Sequence, residues 1–190
     1  MKFIRTVIPD VVIIEPVVWG DERGYFVETF RQDKLNDFLG FDINFVQDNE
    51  SKSGYGVLRG LHYQLAPAAQ TKLVRVIKGK VLDVAVDIRT GSPTFGQHIS
   101  VELSEQNKRQ LLVPRGFAHG FVVLEDDTIF AYKVDNYYSP ENDRGIAFDD
   151  PALGINWQVD KDRLKLSAKD TQQSTLANAE VFTSGQSLYA

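Results

Sequence analysis

Short stretches of alternating bulky and polar residues, broken by turn formers, run from residue 43 to about residue 135. Thr71–Ile77, Lys80–Ile88, His98–Leu103, Gln110–Val113, Phe117–Val123 and Thr128–Asp135 are the predicted strands. Lys78-Gly79, Arg89–Pro93, Ser104–Asn107, Pro114–Gly116 and Glu125–Asp127 supply the turns between them. Strands this short at this spacing predict a mainly β chain, folded as a jelly-roll β-sandwich with a few short peripheral helices. Upstream, Val11–Val18 is a β-branched run bent at Pro16, with no obvious partner strand nearby. Gly20–Gly24 reads as a loop, and Tyr25–Phe30 alternates again. Arg31–Gly40 is the first predicted helix, capped by Asp33, apolar at Leu35, Phe38 and Leu39, and stopped by Gly40. After residue 136 the alternation fades. Pro151–Trp157 reads as an extended loop, Ala168–Ala179 as a short helix, and the small polar tail Thr183–Ala190 is expected to fray. The expected organisation is one domain over residues 1–190, with 136–190 a turn and short-helix region packed on it.

Side-chain parity sharpens the picture. On a strand, Leu82, Val84 and Val86 share one face, and Asp83, Ala85 and Asp87 the other. Lys72 falls on the face of Val74 and Val76, and Tyr132 on that of Phe130 and Val134. Both therefore occupy inward positions among apolar neighbours, where a charge needs a partner or a function. Arg59 and His62 are separated by an odd number, which in a regular strand sends them to opposite faces. Gly60 between them could support a bulge that turns both inward.

The stretch Gly56–Lys72 thus gathers Arg59, His62 and Lys72 in one strand–loop–strand unit, with Gln47 and Asn49 just upstream. Imidazole moves protons near neutral pH, an ammonium can hold a developing oxyanion, and a guanidinium can fork onto phosphate. Together they suggest proton abstraction beside a carbonyl on a phosphorylated substrate. Each group alone has an ordinary structural reading, as a core tyrosine, a turn histidine or a surface cation.

At 190 residues the chain suffices for one well-cored domain. It holds 43% hydrophobic and 25% charged residues, as soluble globular proteins do. With no cysteine, disulfides and thiolate metal sites are excluded. No segment has the apolar length of a signal peptide core or a membrane span, so a cytoplasmic protein is expected. A net charge of −5 disfavours nucleic acid or an anionic membrane as partner, without excluding a small anion held by local arginines.

Pro114-Arg-Gly-Phe-Ala-His119-Gly resembles the second signature of cupin jelly rolls. The first cupin signature brings a His-x-His pair and a glutamate for a metal. Here His62 stands alone, Gln64 holds the second position, and no glutamate lies between residues 63 and 101. Three histidines in the chain, one of them His98 on another strand, cannot rebuild that cage, so no metal is expected.

A closer resemblance runs in order along most of the chain. Gly20–Glu28, Phe45–Asn49, Arg59–Gln64, Lys72–Val76, Asp83–Arg89, Tyr132–Tyr138 and Leu166–Asp170 are similar to blocks of the dTDP-4-dehydrorhamnose 3,5-epimerase family. The resemblance implies His62 as general base, Tyr132 as the opposing general acid, and Lys72 steadying an enolate. Asp170 matches the aspartate that pairs with the base, with Asp83 as the alternative. Arg23, Glu28, Gln47, Asp48, Asn49, Arg59, His119 and Lys169 match the shell around the nucleotide-sugar, while Phe26 and Tyr138 are candidates to stack on thymine. Asp143 stands where the family's ligand-contacting glutamate is expected, which puts that one contact in doubt. The implied substrate is a dTDP-linked 4-keto-6-deoxyhexose, with no cofactor, and the implied assembly a homodimer. A 3- or 5-epimerase, a 3,4-ketoisomerase and a non-catalytic sugar-binding jelly roll remain the competing readings, with a metal-dependent oxygenase behind them.

Overall fold

The computed structural model describes residues 1–183 and 186–189. In chain order the strands are β1 (Lys2–Arg5), β2 (Val12–Glu15), β3 (Val18–Asp21), β4 (Gly24–Val27), β5 (Gln47–Ser53), β6 (Leu58–Gln64) and β7 (Lys72–Lys78). They continue as β8 (Lys80–Asp87), β9 (His98–Ser104), β10 (Gln110–Val113), β11 (Phe117–Val123), β12 (Thr128–Val134) and β13 (Asp143–Gly145), with helix α1 (Gln32–Leu39) before β5. Two sheets face each other, one of six strands in the order β1-β2-β10-β7-β12-β5 and one of five in the order β13-β6-β11-β8-β9. All named strand pairs are antiparallel, as a jelly roll requires.

Three apolar layers hold this together. Val74, Val76, Ala85, Val101, Leu111, Phe121 and Phe130 fill the space between the sheets. Leu82, Val84 and Val86 point the other way, out of the five-stranded sheet, onto Ile146, Phe148, Trp157 and Phe182 from the C-terminal region. Val12, Ile14, Leu73 and Leu112 cover the outer face of the six-stranded sheet and meet Leu35 of α1. Each such side chain contributes about 1.5–3 kcal/mol on full burial. Because every residue of β8 after Lys80 is buried, its more apolar face marks the outer, covered side rather than the centre of the sandwich.

Several expectations change on contact with the fold. Val11–Val18 breaks at Pro16 into β2 and β3, and β2 is paired on both sides, by β1 and β10, so it is no exposed edge. Asp33 lies in the first turn of α1 and ion-pairs with Arg31, while the N-cap position, Arg31, makes no side-chain cap bond. Gly40 does end the helix, in the left-handed region at φ 80°. Ala168–Ala179 forms two single 3₁₀ turns, Asp170–Gln172 and Leu176–Asn178, because its backbone is bonded elsewhere. Ser174 carbonyl accepts from Ala147, and Leu176 N–H goes to Asp150 Oδ2 at 2.7 Å. The tail is tied down rather than frayed at Leu188 and Tyr189, which bond Arg115 and Thr71. Ser184, Gly185 and Ala190 lie outside the described residues.

The β3–β4 hairpin stands apart as its own two-stranded sheet. It exposes Val17, Val18, Trp19 at 54%, Tyr25 and Phe26 at 69% of their surface. Contiguous apolar surface of this kind marks an interaction site.

Candidate active site

A cavity of about 580 Å³ lies between the two sheets. The five-stranded sheet contributes Arg59 and His62 from β6, with His119 and Phe121 from β11. The six-stranded sheet contributes Asn49 and Ser51 from β5, Lys72 from β7, and Phe130 and Tyr132 from β12; Lys165, Ser167 and Asp170 close one side. His62 and Tyr132 therefore enter from opposite walls.

Arg59 and His62 reach the same space through a bulge. His119 pairs with His62 and Phe121 with Arg59, so three steps along β6 oppose two along β11. Gly60 absorbs the extra residue at φ 125°, where a Cβ would stand 2.6 Å from Gly120 Cα and 2.7 Å from His119 O. Only glycine fits there.

His62 Nε2 donates to Asp170 Oδ1 at 2.5 Å. Burial alone would raise the Asp170 carboxyl, but bonds from His62, from Ser167 and from the Gly60 N–H outweigh it and hold the group below the usual aspartate value. An ionised carboxylate can only accept, so Nε2 carries the hydrogen, and in the neutral imidazole the free lone pair is then on Nδ1. Ser167 Oγ, which donates to Asp170 Oδ2 at 2.7 Å, was not among the expected residues. Its signal was the Ser-x-x-Asp spacing inside the Leu166–Asp170 block.

Asp83, the alternative partner, is fully buried beneath His119 and accepts from its Nε2 at 2.9 and 3.0 Å. The structure thus holds two histidine–aspartate pairs side by side, with Asp170 on His62. Lys72 Nζ donates to the His62 carbonyl at 3.2 Å. Burial pulls its pKa down to about 8, against the charges of Asp143 and Asp83. Burial pushes the Tyr132 phenol up, against the nearby Arg59, so it stays protonated near neutral pH. Gln47 Nε2 donates to Asn49 Oδ1 at 2.8 Å along the same face of β5. Arg59 Nη2 donates to Ser53 Oγ at 3.2 Å. Asp143, Lys169 and Tyr138 do not line the cavity but bond one another, with Asp143 binding Lys169 and accepting from Tyr138 OH at 3.2 Å.

Four further expected residues stand on other surfaces, outside the cavity lining. Asp48 points to the outer face of the six-stranded sheet and pairs with Lys133 at 2.9 Å, because alternation along β5 sends it opposite Asn49. Arg23, on the exposed hairpin, is paired with Asp21; Phe26 is exposed beside it, and Glu28 lies 3.6 Å from Lys34. Gln64 is buried and binds backbone, donating to the Ala68 and Tyr137 carbonyls and accepting from Ser139 N–H. Among the described residues no group of three or more His, Cys, Asp or Glu side chains converges as a metal-ligand set. A larger groove, of about 990 Å³, is lined by residues such as Arg89, Arg115 and Tyr189 and contains no histidine or lysine. It lacks the groups for proton transfer near neutral pH.

A jelly roll with acid–base side chains facing each other across its central cavity is an isomerase-type scaffold of the cupin-like kind. The family model for dTDP-4-dehydrorhamnose 3,5-epimerase matches residues 5–178. The chain is 53% identical over 182 residues to the dTDP-4-dehydrorhamnose 3,5-epimerase of Shigella flexneri, covering 96% of this chain and 99% of that one. It is 50% identical to the enzyme of that name from Pseudomonas aeruginosa, over the same shares. The crystal structure of a dTDP-6-deoxy-D-glucose-3,5-epimerase from Legionella pneumophila, in complex with dTDP-4-keto-L-rhamnose, matches with a TM-score of 0.90 and 50% identity over 93% of each chain. The chain belongs to the dTDP-4-dehydrorhamnose 3,5-epimerase family, enzymes of the isomerase class.

Proposed function

We propose that this chain inverts C3 and C5 of dTDP-4-dehydro-6-deoxy-D-glucose to give dTDP-4-dehydro-L-rhamnose. The observation that carries this reading is the placement of His62, backed by Asp170, and Tyr132 on opposite walls of one cavity. The C4 ketone acidifies the hydrogens on C3 and C5. His62 Nδ1 takes one of these protons, and the C–H electron pair moves into an enolate whose oxygen faces the Lys72 ammonium. Tyr132 then delivers a proton to the opposite face of the same carbon. One base alone returns a proton where it came from, whereas a base and an acid across the ring invert the centre. Asp170 fixes the His62 tautomer and favours the imidazolium formed on abstraction. Arg59, Lys72 and Lys165 give the cavity local positive charge on a chain of net charge −5, which suits a diphosphate. Proton NMR of the product from dTDP-4-dehydro-6-deoxy-D-glucose tests the reading. Inversion at both carbons supports it; inversion at one, or ketone migration, replaces it with one of the related activities.

The working unit is a homodimer in which the β3–β4 hairpin carries Arg23 and Phe26 into the partner's cavity. The exposed Trp19, Tyr25 and Phe26 support this, since the hairpin forms its own two-stranded sheet and the described residues leave these rings more than half uncovered. Sedimentation at micromolar protein should give twice the 21.4 kDa chain mass; a lone monomer boundary overturns the dimer.

The activity should also fall with rising pH. Lys72 must be an ammonium to steady the enolate, and it deprotonates through about pH 8. Below that value it is charged and the site competent; above it kcat/KM should drop about tenfold per pH unit. A profile flat from pH 7 to 9.5 would remove Lys72 from this role.

A further inference from the structure

We propose that Tyr189 is a positioning residue for Lys72, acting through a closed ring of hydrogen bonds on Thr71. The inference rests on the role given to Lys72 above. Thr71 is fully buried and directly precedes Lys72 at the start of β7. Its N–H donates to Asp135 Oδ1 at 2.6 Å, and its carbonyl accepts the Asp135 N–H at 3.2 Å. The other Asp135 oxygen accepts Arg115 Nε at 3.1 Å. Arg115 in turn gives its backbone N–H to Tyr189 OH at 3.1 Å and its Nη1 to the Leu188 carbonyl at 2.7 Å. Its guanidinium lies 5.1 Å from the centroid of the Tyr189 ring. Tyr189 OH closes the ring on Thr71 Oγ1 at 2.9 Å. Burial raises the Tyr189 phenol, against its bonds from Thr71 and Arg115, so the hydroxyl keeps its proton and can share a hydrogen with Thr71 Oγ1.

The ring sits directly beyond the rung that carries Lys72. Val113 and Val134 are the strand partners of Lys72, and Arg115 and Asp135 follow them within two residues. The segment before β7, from Pro67 to Thr71, is loop, so nothing regular upstream sets where β7 begins. Removing the Tyr189 hydroxyl leaves the buried Thr71 hydroxyl and the Arg115 N–H without their shared partner. It opens the ring on one side, so Thr71, which Lys72 follows, is held by its Asp135 bonds alone. The ammonium must hold its place beside the His62 carbonyl to within a fraction of an ångström.

Tyr189→Phe keeps the ring and its cation contact and removes only the hydroxyl; Thr71→Val removes the other partner of the same bond. Since a 1 Å misplacement in an active site costs roughly 10², each should lower kcat about five- to fiftyfold with KM within about twofold. Both changes break the Tyr189–Thr71 bond, and Tyr189→Phe also removes the acceptor of the Arg115 N–H, so the double variant should lose no more than Tyr189→Phe alone. Placement of Lys72 is read separately, by its acylation rate with a small amine reagent followed by peptide mass spectrometry, which should change in both variants. Wild-type kcat and wild-type Lys72 acylation in folded Tyr189→Phe overturn the proposal, as do losses that multiply in the double variant. A wild-type chain that turns over no dTDP-sugar overturns the functional reading instead, and the acylation comparison then decides the role of Tyr189.

Discussion

His62→Ala should abolish both epimerisation and the entry of solvent deuterium at C3 and C5, with a loss at or above the ~10²–10⁴ that a positioned base contributes. The expectation is this severe because no other group can take over. His119, the other histidine on the cavity, has its Nε2 held by both oxygens of Asp83 and belongs to β11, one strand further along the same wall. Lys72 is mainly an ammonium at neutral pH, and Tyr132 keeps its phenol proton, so neither offers a lone pair on demand. Asp170 would remain, pinned by Ser167 and by the Gly60 N–H at the edge of the cavity. Exchange is the informative readout because it reports abstraction itself, whether or not inversion follows. Deuterium entering His62→Ala at the wild-type rate would assign the base elsewhere. The vacated side chain is only partly buried, so the cavity itself costs little, whereas the loss of the His62 partner to the buried Asp170 carboxylate is the larger cost to stability.

How much of this site could be read from the chain depends on what each residue is next to. Six strands from β7 to β12 were visible because alternation or apolar runs mark them, with bounds that agree to within a residue. β5 was not placed, because Gln47–Ser53 is polar throughout and strand propensity has nothing to hold there. Its half-buried positions face the sandwich interior, and polar side chains suit a strand that lines a cavity for a polar ligand. Parity put Lys72 and Tyr132 inward, and Gly60 gave the bulge that brings Arg59 beside His62. The partner of His62 stayed open between Asp83 and Asp170, since strand parity places Asp83 but says nothing about a 3₁₀ turn 108 residues away. Asp48 illustrates the opposite hazard: a residue inside a matching block can still point out of the sheet. Arg23 and Phe26 show another limit, because matching blocks grouped them with the cavity residues while the structure leaves them on the exposed β3–β4 hairpin, outside the cavity lining.

Tyr132→Phe should separate the two halves of the reaction. Abstraction should continue, because His62, Asp170 and Lys72 are untouched, and deuterium should enter C3 and C5. Inversion should fail by about 10²–10⁴, the contribution typical of a positioned acid. The deuterium should then appear with the original configuration, because protonated His62 exchanges with solvent and returns its hydrogen to the face it came from. The geometry makes this a sharp test, since His62 and Tyr132 belong to different sheets and, among the described residues, no other phenol lines the cavity. Burial raises the Tyr132 phenol while the Arg59 charge works against that rise, so it holds its proton near neutral pH and has one to give when a carbanion forms beside it. Phenylalanine keeps the packing against Phe130, whose ring centroid lies 6.1 Å away, so a lost fold should not confuse the outcome. A Tyr132→Phe chain that inverts both centres at the wild-type rate would take Tyr132 out of the mechanism. It would leave water as the second proton source.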